Sequence, residues 1–273
     1  MCHSFAVKLA TIRDGDTTRA VRIDEGEAIL LEAPDVRAWL EGITNETGER
    51  RRLDDLEYAP LIPAPDKVIC VGLNYRTHIA ETGSETPAYP TLFTKFASAL
   101  IGAYDDVRLP HESDACDWEA ELTIVIGKSG RRIPVERADE HIAGYTIMND
   151  LSVRDWQART SQWLQGKAWE RSTPLGPWLV TRDESPGPAR EISCEIDGVT
   201  KQKADTSDLL FGPQTLVSYL STFTTLMPGD VIATGTPGGV GHARKPPRYL
   251  ADGELLVTEI GGIGRLANRV RTA

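Results

Sequence analysis

Cysteine is scarce in this chain, and the four that occur, Cys2, Cys70, Cys116 and Cys194, stand far apart with no C-x-x-C pair. That spacing excludes a cysteine-built zinc site and fits reduced thiols. Cys116 alone lies near other candidate site residues, and it reads as a small buried side chain. Long apolar runs are also missing: nothing approaches a transmembrane span, and the first ten residues alternate polar and apolar instead of forming a signal-peptide core. Positive charge is short as well. Lys and Arg number 30 against 40 Asp and Glu, a net charge of -10, which argues against nucleic acid or an anionic membrane as partner. What these absences leave is a cytoplasmic protein acting on a small molecule. At 273 residues the chain can bury a sizeable core, as one large domain or one with a small appendage.

The pattern along the chain is mostly β with some α. Phe5, Val7 and Leu9, then Val21 and Ile23, then Ile29 and Leu31 alternate as short strands broken by Asp14-Gly15 and Glu25-Gly26 turns. A helix is expected over 34–43, and the charged run 46–55 with Pro60, Pro63 and Pro65 reads as a linker. This divides the chain into a small α+β unit at 1–62 and a larger domain at 63–273. In the larger domain, strands are expected at 67–72, 107–109 and 145–150, a hairpin on Asp197-Gly198, and a strand pair around Gly261-Gly262. Helices are expected near 75–82, 135–141 and 214–223, with another running from a Ser152/Asp155 capping box to Trp163.

The stretch Asp117-Trp118-Glu119-Ala120-Glu121-Leu122-Thr123-Ile124-Val125-Ile126 holds the densest chemistry. As a strand it sends Trp118, Ala120, Leu122, Ile124 and Ile126 to one face and Asp117, Glu119, Glu121 and Thr123 to the other. Two glutamates then point the same way about 7 Å apart, which is either a solvated acidic edge or two ligands of a divalent cation. Asp150, at a strand end, is a turn aspartate or a third ligand. His78 and Glu81 are i and i+3 on the expected helix, a surface ion pair or a general base with its orienting carboxylate. Lys167, in a loop before Pro174, is ambiguous. The run Thr234-Gly235-Thr236-Pro237-Gly238-Gly239-Val240-Gly241 lets backbone N–H groups approach a ligand, but no Gly-Lys-Ser/Thr follows, which excludes a phosphate loop.

Taken together, Gly72-Leu73-Asn74-Tyr75-Arg76-Thr77-His78-Ile79-Ala80-Glu81, Asp117-Trp118-Glu119-Ala120-Glu121-Leu122, Asn149-Asp150-Leu151-Ser152-Val153-Arg154-Asp155-Trp156-Gln157, Gly166-Lys167 and Asp230-Val231-Ile232-Ala233-Thr234-Gly235-Thr236-Pro237 resemble, in this order, the fumarylacetoacetate hydrolase family. The resemblance covers about residues 67 to 270. It implies a mixed β-sandwich or roll catalytic domain behind a small α+β N-terminal domain, and a homodimer. It implies Glu119, Glu121 and Asp150 as ligands of one Mg2+ or Mn2+ per subunit, His78 and Glu81 as the pair that activates a water, and Lys167 as the stabiliser of developing negative charge. Arg154, Gln157 and Thr236 fall on positions that resemble substrate contacts, and Asp117 is left behind the ligands or as a structural residue. Lys167-Ala168-Trp169-Glu170 departs from the family's more frequent Lys-Ser-Phe-Asp, which bears on the substrate. The activity implied is metal-dependent hydrolysis of a C–C bond in a 2,4-dioxo acid. Isomerisation of a hydroxymuconate-type diene and decarboxylation of oxaloacetate are alternatives on the same site, and a non-catalytic ligand-binding protein is a fourth.

Overall fold

The computed structural model describes residues 7–184 and 189–272, so Cys2 and Phe5 lie outside the described residues. The chain opens as a meander of β1 (Lys8–Asp14), β2 (Thr17–Asp24) and β3 (Glu27–Leu31). Glu25 and Gly26 take φ of +46° and +87° between β2 and β3, the mirror-image turn whose twist matches its flanking strands. Helix α1 (Val36–Leu40) is shorter than expected and is capped by Asp35, whose side chain accepts from Ala38 N at 2.8 Å. The charged run is not a linker: it forms β4 (Glu46–Arg52), antiparallel to β3. Its charges suit an exposed edge and are matched across the sheet, Arg22 to Glu46 and Arg50 to Glu27.

Next come β5 (Val68–Gly72), α2 (Arg76–Thr82), β6 (Thr91–Lys95), β7 (Leu100–Ile101), β8 (Val107–Leu109), β9 (Cys116–Asp117) and β10 (Ala120–Ile126). After them lie β11 (Ile142–Asn149), β12 (Ser152–Val153), α3 (Arg154–Gln157), α4 (Leu164–Lys167) and β13 (Thr173–Thr181). The chain ends with β14 (Glu191–Ile196), β15 (Val199–Asp205), α5 (Pro213–Phe223), β16 (Val231–Ala233), β17 (Leu255–Ile260) and β18 (Gly264–Thr272).

The large sheet runs β4-β3-β2-β1-β13-β11-β10-β16-β5-β6, with β7 added to β13, and the smaller runs β15-β14-β17-β18-β8. Pairing is mostly antiparallel, with β16–β5, β18–β8 and β13–β7 parallel. One apolar cluster joins Leu122 and Ile147 of the large sheet to Ile192, Leu256 and Leu266 of the smaller, which makes the mixed sandwich. On another side α5, begun by Pro213 at its first turn, buries Leu216, Val217 and Leu220 against Ile124, Ile126 and Ile232.

Every residue of β10 is buried, because β11 and β16 flank it and both sheet faces are covered. Its alternation therefore separates core from site, not core from solvent. The helix expected from Ser152 to Trp163 breaks up. Ser152 lies in β12, its hydroxyl bonds Asp150 O at 2.9 Å and caps nothing, and only one turn, α3, follows. Among the described residues no helix is long and apolar enough to cross a membrane.

Candidate active site

Antiparallel pairing sets Ala120 opposite Asn149, so the start of β10 lies beside the end of β11, and Asp150 N donates to Glu119 O at 2.8 Å. That register brings Glu119, Glu121 and Asp150 together, all buried, with ligand oxygens within 4.8 Å of one another. Buried carboxylates this close must be compensated. Lys167 Nζ bridges Glu119 Oε2 at 2.7 Å and Asp150 Oδ2 at 2.8 Å, and Lys95 Nζ lies 2.7 Å from Asp150 Oδ1. Arg154 Nη2 sits 2.7 Å from Glu119 Oε1 and 2.8 Å from Asp117 Oδ2.

Glu121 differs: Gly235 N donates to its Oε2 at 2.7 Å, and among the described residues no cation pairs with it. The ionisation equilibria follow. Burial opposes the charge of Glu119, but Lys167 and Arg154 outweigh it and hold that carboxyl below its usual range. Burial, reinforced by Asp150 and Glu119, drives Glu121 well above it. Burial also works against the Lys167 ammonium, yet Asp150 and Glu119 prevail and Lys167 keeps its proton more firmly than usual. With Glu121 ionised, Asp117, Glu119, Glu121 and Asp150 would exceed Lys95, Arg154 and Lys167 by one negative charge, the charge that its raised pKa resists. Three hard oxygen donors, one of them without a cation, beside an ammonium already drawn between the other two, fit a divalent ion such as Mg2+ or Mn2+.

Lys95 had no signal in the sequence, since a lysine ending a Thr/Lys strand reads as solvent-facing. It is buried, and it donates to Leu151 O at 3.1 Å and to Lys167 O, so one ammonium ties Asp150 to the turn that carries Lys167. Lys95→Met is expected to destabilise the protein by about 3 to 5 kcal/mol, because it strands a buried carboxylate and two carbonyls. Denaturant unfolding measures this, and a loss below about 1 kcal/mol would show that Lys95 is not what compensates Asp150.

The second group of side chains stands on α2. His78 Nδ1 lies 3.2 Å from Glu81 Oε2, and both Glu81 oxygens accept from Gly239 N at 3.0 and 3.1 Å. The helix is anchored just before its start by Asn74, whose amide donates to Thr234 O at 2.7 Å and Phe211 O at 3.0 Å. Gly235 must be glycine: its φ is +103°, and a Cβ there would meet Asn74 Cβ at 2.9 Å and Val71 O at 3.0 Å. Asp117, fully buried, accepts from Trp118 N, Gly241 N and His242 N as well as Arg154 Nε, and so fixes the 239–242 segment. The glycine-rich run thus holds Glu121, Glu81 and Asp117 by backbone N–H groups.

A cavity of about 660 Å³ opens between these groups. His78, Glu81, Glu119, Glu121, Arg154, Gln157, Lys167 and Thr236 line it, with Val71, Phe93, Trp163 and Val240 as apolar wall, and Asp150 lies behind. Arg154 donates through Nη1 to Gln157 Oε1 at 3.0 Å, so its guanidinium is engaged on Asp117, Glu119 and Gln157. Thr236 Oγ1 donates to Ala120 O at 3.0 Å and accepts from Gln202 Nε2 at 2.8 Å. Gln202, 82 residues beyond Ala120 in the chain, also accepts from Ala120 N at 3.0 Å, and nothing in its neighbourhood in the chain signalled this. Arg244 and Lys245 line the cavity too and were not singled out from the sequence.

A histidine–glutamate pair, a buried carboxylate triad and a buried lysine thus gather at one cavity on a mixed β-sandwich, the arrangement of an enzyme site. Residues 67–271 match the family model described as Fumarylacetoacetate (FAA) hydrolase C-terminal, and the chain belongs to the fumarylacetoacetate hydrolase family. Human mitochondrial oxaloacetate tautomerase FAHD2A is 45% identical over 212 residues, 77% of this chain and 68% of that protein. Among solved structures, the fumarylacetoacetate hydrolase of Exiguobacterium antarcticum is 32% identical with a TM-score of 0.88, covering 98% of this chain and 100% of that one. The 2-hydroxyhepta-2,4-diene-1,7-dioate isomerase of Mycobacterium marinum is 34% identical with a TM-score of 0.83, covering 98% and 99%.

Proposed function

We propose that the protein is a tautomerase of short 2-oxo acids of the oxaloacetate type, transferring a proton between C3 and the oxygen on C2. The observation that carries this reading is the His78–Glu81 pair lining the same cavity as Glu119 and Glu121, with Asp150 grouped behind them. The likeness to an oxaloacetate tautomerase and to a diene-dioate isomerase supports it. With Nδ1–H directed at Glu81, His78 keeps the lone pair of Nε2 for the substrate. In the keto-to-enol direction His78 takes the C3 proton, the C–H electron pair becomes the C2–C3 double bond, the C2–O π pair moves onto the oxygen, and the imidazolium returns its proton, directly or through a water, to that oxygen. A divalent ion held by Glu119, Glu121 and Asp150 would act as the Lewis acid that polarises the C1 carboxylate and C2 oxygen. Lys167, which keeps its proton, contributes positive charge beside the developing enolate and is unsuited to be the base.

The test follows the ultraviolet absorbance of enol-oxaloacetate. The Mg2+-loaded protein is expected to accelerate its decay to the keto form well beyond the buffer rate, and chelation is expected to abolish the acceleration. Decay at the buffer rate with metal bound would sink the reading. Hydrolysis of a 2,4-dioxo acid is the second reading. The same His78–Glu81 pair is equally fitted to take a proton from a water that attacks the distal carbonyl, and the likeness to a fumarylacetoacetate hydrolase favours it. Mass spectrometry on a panel of acylpyruvates separates the two, since only hydrolysis yields an acid and pyruvate.

A further inference from the structure

We propose that Arg244 and Lys245 form a subsite for a second carboxylate, so that the site takes 2-oxo dicarboxylic acids in preference to 2-oxo acids with one carboxylate. The proposal rests on the reading of the cavity as a 2-oxo acid site and names which acids enter it.

The cations on the cavity wall differ in whether they have charge to spare. Arg154 is engaged by Asp117 and Glu119, and Lys167 by Glu119 and Asp150. Arg244 and Lys245 are different, for among the described residues neither has a carboxylate within ion-pair distance. Arg244 spends Nη2 on two carbonyls, Lys201 O at 2.8 Å and Gly239 O at 3.2 Å, and its Nε is buried without a partner. Lys245 is exposed, and among the described residues its side chain makes no hydrogen bond or ion pair. In a protein whose net charge is -10, two adjacent unneutralised cations at one cavity attract a dianion against the overall field.

The segment bearing both residues is set by the clamps that set the chemistry: Gly239 N on Glu81, Gly241 N and His242 N on Asp117, and Arg244 N on Gly241 O at 3.2 Å. The Arg244 guanidinium also lies 5.9 Å from the ring centre of Trp118, the residue between Asp117 and Glu119. The Arg244 guanidinium is thus held in register with the His78–Glu81 pair and the carboxylates, and the Lys245 side chain follows it from the same segment. An acid with an apolar tail would leave them facing hydrocarbon, whereas a second carboxylate supplies the missing counter-charge.

The test is calorimetric binding to the Mg2+-loaded protein of two acids with the same five-carbon chain, 2-oxoglutarate and 2-oxopentanoate. The wild type is expected to bind the diacid about ten-fold more tightly or better. R244Q and K245Q should each reduce that ratio at least three-fold, and the double variant should bring it near one. Equal affinities in the wild type, or a ratio that persists in the double variant, would overturn the subsite. Because the exposed Lys245 side chain bonds to nothing among the described residues, K245Q is expected to fold whatever becomes of R244Q, and an unchanged ratio in K245Q alone also overturns it. Binding does not require turnover, so a preserved diacid preference without enol decay would reject the tautomerase and leave the subsite standing.

Discussion

Glu121→Gln is expected to raise the stability of the metal-free protein while weakening metal binding by roughly 100-fold or more, beyond the 10 to 100-fold that supporting residues usually command. The two signs have one cause. Glu119 and Asp150 are met by Lys167, Arg154 and Lys95, whereas Glu121 has one backbone N–H and no cation among the described residues. Burial and the neighbouring Asp150 and Glu119 charges raise its pKa in the fold, so its ionised form is the costly one. For a carboxyl raised in the native state, that cost is absent below its unfolded pKa and grows as the pH rises above it. The amide keeps an acceptor for Gly235 N and carries no charge. Its advantage should therefore vanish near pH 4 and grow to about 1 to 2 kcal/mol toward neutrality. Thermal melts in chelator across pH, with calorimetric Mg2+ titrations, read both effects. A metal-free E121Q that melts below wild type at neutral pH would show that Glu121 is compensated in a way the carboxylate cluster does not account for.

The fold was legible where a residue pattern maps onto local geometry and illegible where pairing across the chain decides. Glu25-Gly26 and Asp197-Gly198 announced hairpins, and the structure holds all four residues at positive φ between paired strands. The run 46–55 read as a linker because its charges seemed to have no buried face. Its partners, Arg22 and Glu27, lie on strands more than twenty residues earlier, and β4 exists through them. The capping-box pattern at Ser152 failed for a similar reason. Ladder pairing of Ser152 with Asp117 took the backbone that a helix would have needed.

In the site, the acidic alternation was visible but its meaning was not, since Glu119 and Glu121 on a single strand are also a solvated edge. What turns them into a site is the register between β10 and β11, which sets Asp150 beside Glu119. The cations that make the cluster affordable come from β6, α3 and α4, and of these Lys95 carries no local mark at all. A lysine is legible as buried only once the carboxylate it answers is known to be buried. Asp117 illustrates the converse: it shares the acidic face in the pattern, yet it points its two oxygens at Gly241, His242 and Arg154 and so fixes the loop instead of adding to the triad.

His78→Ala is expected to lower kcat about 10² to 10⁴-fold while leaving Mg2+ affinity within about two-fold of wild type. The separation is possible because the His78 ring pairs with Glu81, and among the described residues neither side chain hydrogen-bonds to Glu119, Glu121 or Asp150. Glu81 is harder to remove cleanly, since it also receives Gly239 N and so tethers the loop that carries Arg244. Glu81→Gln retains acceptors for both partners and removes only the charge, so it should cost about ten-fold in kcat with little change in stability. Glu81→Ala, by contrast, frees the loop and should raise KM as well. The ordering His78→Ala, then Glu81→Ala, then Glu81→Gln in kcat distinguishes a proton-transferring histidine with an orienting carboxylate from an ion pair that merely closes the helix. If His78→Ala turned over enol-oxaloacetate at the wild-type rate with Mg2+ bound, the proton would have to pass elsewhere. Lys167, its ammonium held by Glu119 and Asp150, could not take it without first surrendering both contacts.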